Sequence, residues 1–453
     1  MMHRAAPVVR LDDAARPRDA DHRRQDPSLA ARAATNNFER DRSRPRRARS
    51  VPQETFVHRD NDSNALAATL IARAEALAPT LAGRAAQAEA QGRLPAETIA
   101  DMQAAGFFKV LQPKRYGGYE LDPQAFFDIQ MALARGCMST AWVYGVVGVH
   151  NWQLALFDEH AQQDVWGDDP ATLIASTYMP VGRVSPVDGG FRLSGHWKFS
   201  SGSELCEWVF LGALVPPAEA GQPPEYRTFL LPKSDYRIQQ DWDVLGLRAT
   251  GSHDIVVDDV FVPAYRTHKA IDGMMGTSPG LAVNDAPLFK LPFAQIFVRA
   301  VCTSCIGALQ GALDDFTGYA ATRVSANSGA KTTDDPGAQN ACANAAVAID
   351  EMKVLLKRNF AELMASVTGG PAVSIERRVH FRYQSAQVAE RCAQAANALL
   401  RYAGGNGIYH RNPLVRRFLD LHAARAHYAN NVDRFGQNLG AVMLGRENTD
   451  FFI

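Results

Sequence analysis

The chain has 453 residues, 46% of them apolar, and its 48 basic side chains balance 48 acidic ones. A net charge of zero leaves no global field to draw nucleic acid or an anionic membrane, and no unbroken apolar run reaches the ~18 residues that read as a membrane span. The length sets a prior of about two to three domains.

Residues 1–60 are a regime apart, with 14 Arg, no Lys and nine acidic residues, a net charge of +5. Few large apolar residues occur there, so burial cannot offset chain entropy and a disordered basic tail is expected. Its acids argue against a transit peptide, and it has no secretory apolar core.

A helical domain is expected over 61–168. Leu66, Leu70, Leu77 and Leu81 recur at helical spacing among dense alanine. Pro95 opens a second helix that Gly106 closes, and Asp122-Pro123 caps and starts a third that runs towards Gly136. A further apolar segment leads to His150-Asn-Trp152.

Over 169–285 the period changes to two. Strands are expected at Thr172–Tyr178, Phe191–Phe199, Trp208–Leu214, Arg227–Leu231 and His253–Val262. Short turns without intervening helices imply an antiparallel sheet, barrel or sandwich. In the second strand Phe191, Leu193, Gly195, Trp197 and Phe199 alternate onto one face, and Ser200-Ser201-Gly202 follows. Such a strand end offers a flat apolar wall beside hydroxyls and backbone amides, which suits a flavin ring; an ordinary serine turn satisfies the same pattern.

From 286 to 453 the helical period returns in four long segments, about 293–324, 339–366, 373–403 and 413–444, as in an antiparallel four-helix bundle. Cys302-x-x-Cys305 lies in an apolar helical run without a second pair or neighbouring histidines, so no metal site is expected. The six scattered cysteines suit a reducing cytoplasm. Between the last two segments, Gly404-Gly405-Asn406-Gly407 breaks the pattern with amides that could hold an anion.

Six short motifs stand in one order: Tyr116-Gly-Gly118, Trp197-Lys-Phe-Ser-Ser-Gly202, Gly246-Leu-Arg-Ala-Thr-Gly-Ser252, Val257-Asp-Asp-Val-Phe-Val-Pro263, Tyr319-Ala-Ala-Thr-Arg323 and Gly404-Gly-Asn-Gly407. From about residue 64 onwards the chain resembles the acyl-CoA dehydrogenase superfamily. That resemblance implies an α+β multidomain fold, with an N-terminal helical domain, a central antiparallel β-barrel or sandwich and a C-terminal bundle. Its dehydrogenases need a carboxylate base, commonly a late glutamate, which would fall near Tyr428; no Glu occurs between Asp420 and Asn431, and the earlier position shows Gln310.

The pattern looks instead like the oxygenase components of group D two-component flavin-dependent monooxygenases, which hydroxylate phenols such as hydroxyphenylacetate. The resemblance implies that a separate NAD(P)H flavin reductase supplies reduced flavin (FMNH2 or FADH2). It also implies that dioxygen forms a C4a-hydroperoxide and that a small aromatic substrate is hydroxylated. It places His150, Ser176 and Ser201 at the flavin and substrate, Arg323, Gly405 and Asn406 at the flavin phosphate, and His427 on the substrate, with His422 as rival. Ser201 or Ser200 would bond the flavin N5, and Trp197 and Phe199 would form the wall. A cytoplasmic homotetramer follows, because the glycine loop in this superfamily serves a neighbouring subunit's flavin. An acyl-CoA-oxidising flavoenzyme and a non-catalytic scaffold of the same fold are the alternatives.

Overall fold

The structure, a computed structural model, describes residues 53–453 apart from 218 and 220, with side chains described from residue 62. The basic tail expected over residues 1–60 lies, as far as residue 52, outside the described residues. Helix α1 (Gln53–Gln91) begins within the stretch assigned to that tail. It is followed by α2 (Ala96–Ala104), α3 (Pro123–Gly136), α4 (Met138–Leu154) and α5 (Glu159–Trp166). The start of α3 is where its sequence puts it: the Asp122 carboxylate accepts the Gln124 N–H at 2.8 Å, and Pro123 sits where no N–H is needed. Its end is a close crossing with α1, since a Cβ on Gly136 would lie 2.2 Å from the Ala78 carbonyl oxygen. Helix α4 is buried at every position, so it stands as a pillar inside the molecule rather than as a surface helix with one apolar face.

Seven strands follow: β1 (Ile174–Val187), β2 (Gly190–Ser200), β3 (Trp208–Val215), β4 (Glu225–Pro232), β5 (Arg237–Gln239), β6 (His253–Pro263) and β7 (Thr267–Lys269), in the order β5-β6-β2-β1-β3-β4-β7. The sheet is mixed rather than wholly antiparallel, because β1 and β3 run parallel. Residues 201–207 do not close a hairpin after β2; they pass through a short 3-10 turn, Ser203–Leu205, and carry the chain to the far side of β1. The first half of β1 therefore pairs with β3 (Ile174↔Trp208) and the second with β2 (Arg183↔Ser194), with a register shift between Thr177 and Gly182. Trp197 fills the space at this bend. A Cβ on Gly182 would come within 2.5 Å of its ring, and one on Gly195 within 2.7 Å.

The last part holds α6 (Ala270–Met275), α7 (Phe293–Thr322), α8 (Pro336–Val367), α9 (Ile375–Ala403), α10 (Pro413–Arg425) and α11 (Val432–Met443). The fourth bundle segment, expected to be continuous, is two helices. Asn430 closes α10 by donating to Ala424 O at 2.8 Å, and Asn431 caps α11 by accepting from Arg434 N–H at 2.9 Å. Two helical stretches, 62–91 of α1 and all of α7, are long and apolar enough to cross a membrane. For α7, 89% of the most apolar window is buried inside the protein. The C-terminal residues form a strap. Asn438 accepts the Thr449 N–H at 3.0 Å, and Asp450 faces Arg382 of α9 at 3.7 Å with both side chains buried. Arg382 also donates to Ala429 O at 2.8 Å and lies 3.4 Å from the centroid of the Phe435 ring.

Candidate active site

The end of β2 departs from its own alternation. Trp197 pairs with Ile255 and Ser200 with His253, so β2 carries one residue more than β6 and bulges. Phe199 takes the extra place at φ +67°. Its side chain turns out of the core face it would otherwise share with Trp197; the ring is 59% exposed and packs edge-on against Trp242. Trp197 is fully buried and gives its N–H to Gly212 O at 2.8 Å, so it is core and presents no ring face to a ligand. Ser200 is likewise buried, whereas Ser201 points into a polar cluster. The amide of Gly202 is not free as expected: it donates to Thr250 O at 2.8 Å. A Cβ at Gly202 would sit 3.0 Å from Val143, so the turn, with φ +70° at Gly202, docks directly on α4.

The Ser201 hydroxyl accepts the Trp142 indole N–H at 3.2 Å and contacts Ser252 Oγ at 2.7 Å. Ser252 Oγ in turn lies 2.6 Å from Thr250 Oγ1, which donates to Leu247 O at 2.8 Å. These residues belong to the Gly246–Ser252 motif, which is pressed onto α10. A Cβ on Gly246 would lie 2.2 Å from Leu419 O, and Leu247, at φ +56°, gives its N–H to Asp420 at 2.6 Å. Burial pushes the Asp420 carboxyl up to about 7, partly offset by that hydrogen bond.

The Trp142 indole also meets His427, ring centroids 5.6 Å apart and edge-on. One side chain of α4 thus spans Ser201 and His427. His427 is not on a helix, as its place in the fourth bundle segment suggested; it occupies the break between α10 and α11. Its Nδ1 accepts the Ala429 N–H at 3.1 Å, which puts the proton of the neutral ring on Nε2. The ring is half-buried, yet the surrounding protein and then the Arg382 charge push its pKa down to about 4, so it is neutral near pH 7. His422 is turned elsewhere, towards Asn397 at 3.1 Å and the Phe418 ring.

His150 lies two turns further along α4 than Trp142, fully buried. Its Nδ1–H donates to Ile174 O at 2.6 Å, leaving Nε2 as a bare acceptor with no partner among the described residues, and desolvation brings its pKa to about 4. Ser176 is half-buried on β1, two positions before Tyr178, whose phenol donates to Gln153 Oε1. Tyr178 lies edge-on to His150 and to Phe297, at 6.3 and 4.9 Å between centroids.

Arg323 stands apart from these groups. It follows α7, bonds Thr332 Oγ1 at 3.2 Å, and lies against Gly404, where a Cβ would meet its guanidinium at 2.4 Å. Gly405 and Asn406 belong to the adjoining 3-10 turn, Gly404–Ile408. Arg323 and the glycine loop are thus together, as expected. However, α4 crosses α7 where Gly145 meets Ala300, and Arg323 lies about 35 Å further along that axis at ~1.5 Å per residue. Within one chain this cluster and Ser201 are not one pocket.

Trp142 has no signal in the sequence. It sits in a helix buried all round, where no apolar stripe marks one face from another. Thr250 and Ser252 were visible within a motif, but only the fold shows that they queue behind Ser201.

Residues 68–171 match the family described as "Acyl-CoA dehydrogenase, N-terminal domain" and residues 300–432 "Acyl-CoA dehydrogenase, C-terminal domain". The fold and its buried hydroxyl cluster are thus set in an acyl-CoA dehydrogenase-like framework. The chain is 38% identical over 384 residues to the flavin-dependent monooxygenase oxygenase subunit HsaA of Rhodococcus jostii, covering 84% of this chain and all of that protein. It is 32% identical to an FADH(2)-dependent resorcinol hydroxylase oxygenase component of a Rhizobium species, covering 83% of this chain and 94% of that protein. The crystal structure of 3-HSA hydroxylase from Rhodococcus sp. RHA1 superposes with a TM-score of 0.81 at 37% identity, over 85% of this chain and 99% of that one. The chain belongs to the oxygenase components of flavin-dependent monooxygenases.

Proposed function

We propose that the protein hydroxylates a phenolic or heteroaromatic ring with reduced flavin and dioxygen, and that Ser201, Phe199 and His427 are the groups that do so. The observation that carries this reading is the Trp142 indole touching both Ser201 and His427. An exposed Phe199 ring two residues before Ser201 fits a flat heteroaromatic cofactor, which needs an apolar face and a polar edge contact. Reduced flavin, when bound, supplies the two electrons that let one atom of dioxygen enter the substrate while the other leaves as water. Ser201 would hold the flavin edge at N5, and the packed turn beneath it would exclude water.

His427 is neutral and offers Nε2–H, so it holds a phenol oxygen by donating to it. It shares the charge of the phenolate rather than removing its proton, because Nδ1 is already committed to Ala429. A donor at that oxygen would favour the phenolate over the phenol, whose proton passes to solvent, and the phenolate ring is the better nucleophile. His150, with its bare Nε2, is the complementary acceptor, and Ser176 is two positions along β1 from Tyr178, whose ring meets His150 edge-on. Arg323, Gly405 and Asn406 would hold the flavin phosphate of a neighbouring subunit, which makes the working form a homotetramer, in the cytoplasm beside a separate NAD(P)H flavin reductase. The acyl-CoA-oxidising reading lacks its base: Asp420, the acid that precedes His427 on α10, is held by the Leu247 N–H.

The test mixes the full chain with chemically reduced FMN or FAD, then with oxygen and a panel of phenols or acyl-CoAs. The reading expects a hydroxylated phenol and untouched thioesters. Thioester oxidation without any phenol product would overturn it.

A further inference from the structure

We propose that the hydroxyl row Ser201–Ser252–Thr250 is a one-way hydrogen-bond relay that lets Ser201 only accept from a flavin, so that the protein selects the reduced form. This rests on the placement of Ser201 at the flavin N5 given above. Each hydroxyl has one proton, and both ends of the row fix where the protons go. At one end Leu247 offers a carbonyl, which cannot donate, so the 2.8 Å contact uses the Thr250 proton. The 2.6 Å contact between Thr250 and Ser252 must then use the Ser252 proton, and the 2.7 Å contact between Ser252 and Ser201 the Ser201 proton. At the other end Trp142 can only donate, and it does so to Ser201 at 3.2 Å. All four bonds point the same way, from the indole to the Leu247 carbonyl.

Ser201 is left with one lone pair and no proton to give. Reduced flavin carries a hydrogen on N5 and can donate it to that lone pair. Oxidised flavin presents a lone pair at N5, which would face the lone pair of Ser201. To bind it equally well the row would have to reverse, and reversal leaves the Thr250 and Leu247 oxygens 2.8 Å apart with no proton between them. Thr250, Ser252 and Trp142 are thus positioning residues, acting on the cofactor through Ser201, and the row sits at the end of a turn that Asp420 clamps to the bundle.

The relay is tested by anaerobic titration of the flavin-free full chain with oxidised and with dithionite-reduced FMN, and separately FAD, following flavin fluorescence and absorbance. Wild type should bind the reduced form more tightly. Thr250→Val removes the anchoring hydroxyl at constant shape, and Ser252→Ala removes the acceptor of the Ser201 proton; each frees that proton for oxidised N5 and should shrink the reduced-over-oxidised preference about tenfold, the effect of one hydrogen bond. Thr250→Ser keeps the relay and should keep the preference, which guards against general damage to the turn. Trp142→Phe removes a donor without freeing the proton and should weaken both forms alike. If Thr250→Val and Ser252→Ala keep the wild-type ratio, or if wild type binds both forms equally, the relay is overturned while the monooxygenase reading stands on its product assay. A chain that binds neither form removes both.

Discussion

Asp420 gives the sharpest physical test of how the candidate site is clamped. Its carboxyl is buried beneath the Leu247 turn and titrates at about 7, against an ordinary 3.8. A raised acid pKa means that the folded state favours the protonated form. The stability this contributes is fully present below pH 3.8 and is lost as pH rises through 7. At ~1.4 kcal/mol per pK unit, the buried acid costs the folded state about 2 kcal/mol at pH 5 and about 4 kcal/mol at pH 8. Asp420→Asn keeps an oxygen for the Leu247 N–H and cannot ionise, so its stability relative to wild type should grow by ~2–3 kcal/mol between pH 5 and pH 8. Calorimetric scans of both proteins across that range should show the gap in midpoint widening by about 2–5 °C, with the variant higher at pH 8. Parallel midpoint curves for the two proteins would refute the assignment of a buried, near-neutral carboxyl to this turn.

Ser201→Ala removes the hydroxyl at the flavin edge and should raise the rate of unproductive reoxidation about tenfold, read as hydrogen peroxide released per reduced flavin consumed; an unchanged peroxide yield would exclude Ser201 from that contact. Phe199→Ala should weaken reduced-flavin binding about tenfold in an anaerobic titration while barely moving the unfolding midpoint, because the ring is exposed in the chain by itself. Asp450→Ala leaves the buried Arg382 guanidinium without its carboxylate and should cost ~3–5 kcal/mol in stability, visible as a lower unfolding midpoint.

Much of the framework could be read from residue types with local consequences. Asp122-Pro123 marks the start of α3 because a carboxylate and an imino acid suit a helix N-terminus wherever it lies in the fold. The β2 alternation likewise announces a half-buried strand. What escaped were features set by distant packing. One extra residue at Phe199 shifts the strand period and exchanges the expected wall, with Trp197 in the core and Phe199 outside. The parallel pairing of β1 with β3 depends on the path of residues 201–207 over the sheet, which alternation does not encode. The break that carries His427 had a local signal, the capping pair Asn430-Asn431, which the apolar periodicity on either side obscured. Arg382 and Asp450 meet only because the C-terminal strap folds back on α9, and nothing near either residue foretells it.

The central claim concerns where an oxygen atom goes. The full chain should be given reduced flavin, a hydroxylatable phenol and oxygen gas labelled with 18O, and the product weighed by mass spectrometry. The account predicts one labelled oxygen in the hydroxylated ring, with a sharp loss of product in His427→Ala. A product carrying oxygen from water, or oxidation of all the reduced flavin with dioxygen going only to hydrogen peroxide and no ring hydroxylated across the phenols tried, would contradict it.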